Sequence, residues 1–381
     1  SKVNYLNNAL ESFTLDQAAE DGSEKYWPQS FEIAFVYPDS IVRKVIDVSS
    51  KSQEILAFEG LSQPSAIYYN SNGHGYGIFP IDTGTVSETQ RLQDEVIRAQ
   101  AYINLYENLL AGNISVSSAM KAFEKGIAHE ENEIIVPLIN RYLTTTFWAF
   151  LAPEERLKWQ KRLVDVYWVR LQDNLGQSIK KPLFNAFRDI AYDRRSSELL
   201  YRLWKGEIEI DNLILRENDK TTLAMKLALY EHPLTDQLLE EAQQQITNDD
   251  RRSRFEFLKP ALSNDVGIRQ QLFMSFKDAE KRSKEKWVET ACSYMHHPLR
   301  QQEAATYLGL SLDLLEEIQK TGDIFFPKRW LDVTIGQYQS EEAMGLLEKY
   351  KKEHPNLNKQ LASKLKQSTD NLIRYQTIMK R

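Results

Sequence analysis

Hydrophobic residues stand at every second position in the first part of the chain, up to about residue 83. This period is typical of β-strands that bury one face. Residues 31–37 alternate in this way, turn-forming residues follow at 38–40, and residues 42–48 alternate on the return. Residues 10–17 form an earlier run of the same kind. The pattern therefore predicts a β-meander.

A further hairpin is predicted from residues 66–69 and 76–81, two hydrophobic stretches with turn-forming residues between them. The glycines at 73, 75 and 77 could also suggest a phosphate-binding loop, but such a loop should open a helix. Because residues 76–81 are expected to continue as a strand, we interpret the glycines as serving turn geometry and close packing. Five or six short strands in this region predict a small β-sandwich.

After residue 87 the hydrophobic spacing changes to three or four residues, which predicts helices. Ser87 and Gln90 resemble a capping box, and Gly112 followed by Asn113 supplies a left-handed stop. These signals predict one helix of about 25 residues. Its hydrophobic stripe is formed by Leu92, Val96, Ala99, Ile103, Tyr106 and Leu110.

The spacing of hydrophobic residues in the remainder of the chain predicts helices of about 10 to 20 residues. Each has hydrophobic and often aromatic side chains on one face. No exact repeat is visible, so an irregular helical solenoid is favoured. The predicted fold is therefore mainly α, with a β-sandwich domain at residues 1–86 and a large α-helical solenoid at residues 87–381. The helices are separated by Gly112, Pro153, Gly176, Gly206, Pro233, Pro260, Pro298, Gly322, Pro327 and Pro355.

The composition of the chain argues against several classes of function and structural feature. The formal net charge is -6 with both signs mixed along the chain, which argues against nucleic acid as the main partner. No run of about 18 consecutive apolar residues is present, so no membrane span is expected. The chain starts Ser1-Lys2, as a fragment would, and no targeting segment is recognisable. Cys292 is the single cysteine, which excludes an intramolecular disulfide.

The histidines do not form a zinc motif. No two of the six stand four residues apart, so H-E-x-x-H is absent. Residues 129–133 (HEENE) match only its first half, and we interpret them as a charged, solvated helix start.

Cys292 and His296 stand one turn apart on a helix predicted at residues 284–297. A thiol nucleophile activated by the imidazole is one interpretation. A small buried cysteine is the other, and no third catalytic group or oxyanion donor accompanies the pair. For His296 and His297, just before Pro298, a charged imidazole favoured by the end of the helix dipole is an adequate explanation.

Two basic clusters leave two interpretations open. Residues 248–254 (NDDRRSR) contain Arg251 and Arg254, and residues 326–330 (FPKRW) contain Lys328 and Arg329. These side chains could form salt bridges between neighbouring helices, or they could bind a carboxylate ligand, since arginine holds carboxylates bidentately.

Several stretches together carry a family resemblance. Residues 70–79 (NSNGHGYGIF) resemble the last hairpin of the sandwich domain in aminopeptidase N-like zinc metallopeptidases, with Asn70, Gly75, Tyr76 and Gly77 at its motif positions. Arg98 with the following alanine matches the family's next helix, although Ile97 stands where an acidic residue is frequent. Further matches to bacterial members lie at residues 110–115, 131–133, 248–262, 296–300 and 317–330.

The resemblance implies that this chain is the C-terminal half of such an enzyme, a β-sandwich followed by a HEAT-like helical bowl. The zinc ligands, the substrate motif and the transition-state tyrosine of the family belong to the missing catalytic domain, so no catalytic or metal residue is assigned here. The chain alone is expected to bind no catalytic zinc and to cleave no aminoacyl substrate. Within the parent it would enclose the catalytic cleft and control peptide access, contacting the enzyme's own N-terminal and catalytic domains.

For peptide substrates, Arg251, Arg254, Lys328 and Arg329 are the expected contacts to the carboxyl end. The resemblance leaves the compartment open between periplasm and cytoplasm. A different class also stays open: a stand-alone helical scaffold that binds a protein or peptide partner without enzymatic activity.

Overall fold

The computed structural model describes residues 1–378, except the side chains of Thr83 and Ser87. The chain divides into two compact units, one covering Ser1–Leu143 and a second that begins at Thr144. The predicted domain boundary between residues 86 and 87 stays a prediction.

Six strands form two antiparallel three-stranded sheets in the first unit, with the orders β1-β2-β5 and β4-β3-β6. The predicted meander is confirmed, because residues 31–36 of β3 pair with residues 41–46 of β4 in continuous register. The strands are β1 Lys2–Leu6, β2 Ala9–Asp16, β3 Gln29–Val36, β4 Ile41–Val48, β5 Ser52–Glu54 and β6 Ala66–Tyr69.

The core between the sheets is aromatic. Phe35 of β3 stacks on Phe58, with ring centroids 4.2 Å apart, and Phe13 of β2 lies 6.2 Å from Phe35. All three side chains are fully buried. Burial of these large rings supplies the hydrophobic free energy that holds the two sheets together. The small N-terminal β-sandwich is thus the structure that the alternating pattern predicts.

Helices occupy the rest of the described chain, which confirms the helical solenoid after the β region. They are α1 Thr83–Glu88, α2 Glu95–Leu110, α3 Val116–His129, α4 Ile135–Ala149, α5 Pro153–Gln172, α6 Gln177–Ile190, α7 Arg194–Lys205, α8 Glu217–Leu229, α9 Thr235–Gln245, α10 Asp249–Leu262, α11 Val266–Ser275, α12 Glu285–Met295, α13 Gln301–Asp313, α14 Leu315–Thr321, α15 Phe326–Val333, α16 Glu341–Glu353, α17 Lys359–Ser368 and α18 Asp370–Ile378.

The prediction of one helix of about 25 residues is wrong. The segment contains the short α1, a 3-10 turn and then the 16-residue α2. Asp94 starts α2 because its carboxylate accepts the backbone N–H of Ile97 at 2.9 Å. The Ser87 part of the predicted capping box falls on a side chain outside the described set. The predicted helix stop at Gly112, after the end of α2, is confirmed, since Gly112 has a left-handed φ of 72°.

The strand predicted at residues 76–81 is also absent, since this part of the chain pairs with no strand. Three of the predicted helix breakers lie inside helices, and Pro153 is the first residue of α5. Pro260 lies inside the last turn of α10, and Pro327 lies in the first turn of α15, where its missing N–H is harmless.

The second unit arranges its helices in neighbouring rows. Helices α6, α8, α10, α12, α15 and α17 follow one another side by side, and α11, α13 and α16 form part of a second row. Helix α5 packs against α6, and α7 packs against α8. Alternate helices therefore share a row, so side chains that are far apart in the sequence become neighbours.

Candidate functional site

The loop at residues 70–77 is built by Asn70, which adopts a left-handed φ of 54°. Its Oδ1 accepts the backbone N–H of Gly75 at 2.7 Å, and its Nδ2 donates to the carbonyl of Gly75 at 3.1 Å. A Cβ at Gly75 would lie 2.6 Å from the ring of Phe79 and 3.1 Å from Phe31. These contacts support the interpretation that the glycine run serves turn geometry and close packing.

Tyr76 and Gly77 complete this loop. Gly77 has a φ of 140°, which favours glycine. Tyr76 donates its backbone N–H to Gln29, while its side chain is 90% exposed. The family role that the resemblance gives to Asn70, Gly75, Tyr76 and Gly77 stays a prediction.

Arg98 of α2 forms a buried bidentate ion pair with Glu130, which follows α3. Its Nε and Nη2 donate to the two carboxylate oxygens, each at 3.0 Å. A third nitrogen, Nη1, donates to the carbonyls of Leu92 and Gln93 at 2.6 and 3.1 Å. Only 3% of the Glu130 side chain is exposed. The interpretation of residues 129–133 as a solvated helix start is therefore wrong for Glu130, because the chain leaves α3 with this carboxylate turned toward Arg98.

Cys292 and His296 do not form a catalytic pair. Burial raises the pKa of the Cys292 thiol well above its usual value, so the thiol stays protonated. His296 is the residue after α12, and its Nδ1 lies 2.8 Å from the hydroxyl of Tyr338. Burial lowers the pKa of His296 to about 3 and that of His297 well below its usual value. The prediction that these imidazoles are charged is thus wrong, because the loss of hydration on burial outweighs the stabilisation of positive charge by the helix dipole.

The thiol of Cys292 should be unreactive in the folded protein. We expect no release of thionitrobenzoate from Ellman's reagent at pH 8 under native conditions, because the thiol is fully buried and protonated. After denaturation the same sample should release one equivalent, since Cys292 is the single cysteine. Rapid labelling of the native protein would restore the cysteine-nucleophile alternative.

Three of the four basic candidates are held in ion pairs. Arg251 of α10 lies 3.1 Å from Glu217 of α8, and Arg329 of α15 lies 3.4 Å from Glu289 of α12. For these two arginines, salt bridges between neighbouring helices are confirmed. Lys328 lies 2.6 Å from Asp332 within α15. Their contact with a peptide stays a prediction.

Arg254 differs from the other three. Its Nη2 donates to the hydroxyl of Thr290 on α12 at 3.1 Å. Within residues 1–378, no carboxylate lies within 4.0 Å of its guanidinium. The side chain is partly exposed to solvent. Arg254 is therefore a positive charge that an external carboxylate could reach.

Four further residues belong to helices of the same row as α10. Arg188 and Lys226 share the carboxylate of Asp189, at 3.4 and 3.3 Å. Tyr294 is buried within electrostatic reach of both groups: burial and Asp189 raise its pKa to about 12, while the positive charges of Arg188 and Arg254 act in the opposite direction. We call Arg188, Asp189, Lys226, Arg254 and Tyr294 the Arg254 cluster. It contains three cations and one carboxylate, so it carries net positive charge.

Hydrogen bonds to the end of α6 hold the cluster in place. The indole Nε1 of Trp148 donates to the carbonyl of Asp189 at 3.2 Å, and the hydroxyl of Tyr230 donates to the carbonyl of Arg188 at 2.7 Å. Both carbonyls lie at the C-terminal end of the helix, where they have no partner in the helix itself. Arg188 and Asp189 are thus positioned before any ligand arrives.

Arg188, Lys226 and Tyr294 were not predicted from the sequence as site residues. They stand on α6, α8 and α12, helices of the row that also contains α10 with Arg254. Recognition that alternate helices share a row would have brought them together, but the sequence shows no exact repeat that announces it. The cluster can bind a carboxylate by charge-assisted hydrogen bonds.

Within the described residues, no group of three or more His, Cys, Asp or Glu side chains could hold a metal ion. No helix in that part of the chain is both long and apolar enough to cross a membrane.

Comparison with known proteins identifies a fold but no family. No protein-family model matches the chain, and no curated protein matches it in sequence. Among solved structures, the crystal structure of Legionella pneumophila aminopeptidase A in complex with aspartic acid is similar, with a TM-score of 0.53 and 10% sequence identity. The similarity covers 97% of this chain and 48% of that chain, so the chain spans about half the length of that protein. The chain has an aminopeptidase-like fold.

Proposed function

We propose that this chain is the C-terminal region of a zinc-dependent aminopeptidase, in which it encloses the catalytic cleft and controls access of peptides. The observation that carries the proposal is the extent of the structural similarity, which covers nearly all of this chain but about half of the aminopeptidase. The remaining half of such an enzyme would perform the chemistry. The parent activity would be removal of N-terminal residues from peptides.

No catalytic step is assigned to this chain. The sequence lacks H-E-x-x-H, and the described residues offer no set of metal donors, so they do not fit a catalytic zinc. In the proposed arrangement, zinc would be bound by the catalytic domain of the parent protein. The residues of this chain would act on the substrate by binding and enclosing it.

The Arg254 cluster would hold the carboxyl end of the peptide. An aminopeptidase acts on the first residue, so the far end of a short peptide extends away from the reacting bond. Arg254 has no carboxylate partner within the described chain, and Arg188 and Lys226 add positive charge on helices of the same row. A peptide carboxylate would therefore gain two charge-assisted hydrogen bonds from Arg254 at little cost to existing ion pairs.

Peptide binding tests this role. We expect Arg254→Gln to weaken the binding of a peptide with a free carboxyl end by roughly 10- to 100-fold, the range expected for a hydrogen bond to a charged group. The same peptide with an amidated end should bind the variant and the original protein equally. The measurement is fluorescence anisotropy with a probe on an internal lysine of the peptide.

Arg252→Gln is the matched control on the same helix, because Arg252 is engaged with Asp249 and with the carbonyl of Ile246. This variant should bind both peptides as the original protein does. Equal weakening of both peptides by Arg254→Gln would show that the guanidinium does not recognise the carboxyl end.

A second candidate function is a stand-alone helical scaffold that binds a protein or peptide partner without enzymatic activity. The observation that favours it is a pair of exposed apolar side chains just before α15, with Ile324 69% and Phe325 62% exposed. Two adjacent exposed apolar side chains can form part of a contact surface. The two candidates differ in whether a catalytic domain precedes this chain.

A further inference from the structure

A cavity of about 380 Å³ lies between α5 and α7, a pair of helices that does not carry the Arg254 cluster. Its apolar wall is formed by Val164 and Trp168 of α5, Leu199 of α7 and Ile208. Cavities of this volume lie at the lower end of the range for small-molecule sites. The space therefore suits a ligand about as large as one amino acid or a dipeptide.

Two opposite charges without partners line the same cavity. Asp165 of α5 and Arg195 of α7 make no ion pair or hydrogen bond with any other described residue. The other two charged lining residues are engaged, since Glu198 lies 3.4 Å from His232 and Arg202 lies 3.5 Å from Glu207. The cavity thus offers one carboxylate and one guanidinium to a ligand, beside an apolar wall.

A buried acceptor without a partner lies behind this wall. Gln160 is fully buried one turn before Val164, and its Nε2 donates to the hydroxyl of Ser196 at 2.9 Å. Ser196 lines the cavity, and its hydroxyl in turn donates to Asp193 at 2.6 Å. The Oε1 of Gln160 has no hydrogen-bond partner within the described structure. A buried acceptor in this condition costs free energy, which a donor from a ligand or a bound water would recover.

We propose that this cavity binds a free α-amino acid with an apolar side chain. The α-carboxylate accepts hydrogen bonds from Arg195, and the α-ammonium pairs with Asp165. The apolar side chain packs on the indole of Trp168 and on Leu199. An anion alone would leave Asp165 beside it as a like charge, and a purely apolar ligand would use neither charge. This inference stands independently of the aminopeptidase proposal, because it uses no residue of the Arg254 cluster.

Three ligands test separately how much the carboxylate and the ammonium of the amino acid contribute to binding. L-Phenylalanine carries both charges, L-phenylalanine amide lacks the carboxylate, and 3-phenylpropanoic acid lacks the ammonium. Saturation-transfer difference NMR on the full chain should show saturable binding of L-phenylalanine. The other two compounds should bind about tenfold or more weakly, because each loses one charge-assisted interaction.

Two substitutions test which protein side chain binds each charged group of the ligand. Arg195→Gln should reduce the affinity for L-phenylalanine about tenfold, and Asp165→Asn should do the same. Arg195→Gln should not weaken the binding of the amide, and Asp165→Asn should not weaken that of 3-phenylpropanoic acid, because each change removes a like charge from the probe's surroundings. Both side chains are exposed, so folding should not change. Arg194→Gln is the matched control, since this neighbouring exposed arginine does not line the cavity. Equal affinity for all three probes, or no saturable binding of L-phenylalanine at about 10 mM, would overturn the proposal.

Discussion

Arg98→Met should lower the free energy of unfolding by about 3–5 kcal/mol, the range seen when one partner of a buried ion pair is removed. The substitution leaves the buried carboxylate of Glu130 without its guanidinium, and it also removes the donor to the carbonyls of Leu92 and Gln93. Urea denaturation followed by circular dichroism measures the change. Arg98 would then be a stabilising residue of the first unit.

The double variant Arg98→Met with Glu130→Gln should recover part of this loss, because it removes the unpaired charge. Arg43→Met is the matched control from the same unit. Arg43 pairs with Asp94 but is 39% exposed, so its loss should cost less than about 1 kcal/mol. If Arg98→Met costs no more than Arg43→Met, the ion pair is not the stabilising contact that its burial indicates.

Arg300→Met should be the second most destabilising change, at about 3 kcal/mol or more. The guanidinium of Arg300 is buried and donates to the carbonyls of Ala228, Ala261 and Leu262, at 3.3, 2.8 and 3.2 Å. These carbonyls lie at the C-terminal ends of α8 and α10, where a cation is favoured by the helix dipoles. Methionine fills similar space but removes the donor to all three carbonyls, and only that of Ala228 keeps another, the backbone N–H of Glu231 at 3.1 Å.

The effect should appear as a lower urea midpoint and as faster proteolysis between α8 and α10. Arg252→Met is the matched control, because Arg252 donates to the carbonyl of Ile246 after α9 but is 40% exposed. Water can replace that donor, so the control should change stability by less than about 1 kcal/mol. Equal effects of the two substitutions would contradict the role assigned to buried Arg300.

The fold could be predicted where hydrophobic periodicity and local stop signals decide it. The alternation at residues 31–37 predicted β3, and Gly112 marked the end of α2. The prediction at residues 76–81 failed because Asn70 binds both backbone groups of Gly75, which draws this part of the chain into a loop. Side-chain to backbone contacts of this kind leave no periodic signal.

Charge was the least predictable property. Glu130 stands among polar residues that suggest solvation, yet it is buried because Arg98, 32 residues earlier, lies opposite. His296 and His297 stand at a helix end that favours positive charge, yet both are neutral because they are buried. Burial depends on the packing of distant segments, which one sequence does not reveal.

The candidate site was predictable only in part. Arg251, Arg254, Lys328 and Arg329 were expected as a group, and their ion pairs distinguish Arg254 from the other three. Which cation lacks a carboxylate partner depends on distances between helices. The sequence shows composition but not those distances.

The most direct test of the central proposal is the coding sequence immediately upstream of the codon for Lys2 in the source DNA. The proposal predicts an open reading frame, continuous with this chain, that encodes H-E-x-x-H followed by a downstream glutamate. That result would identify the chain as the substrate-enclosing region of a zinc aminopeptidase. A start codon at this position, with no catalytic domain in frame, would contradict the proposal and favour the stand-alone scaffold.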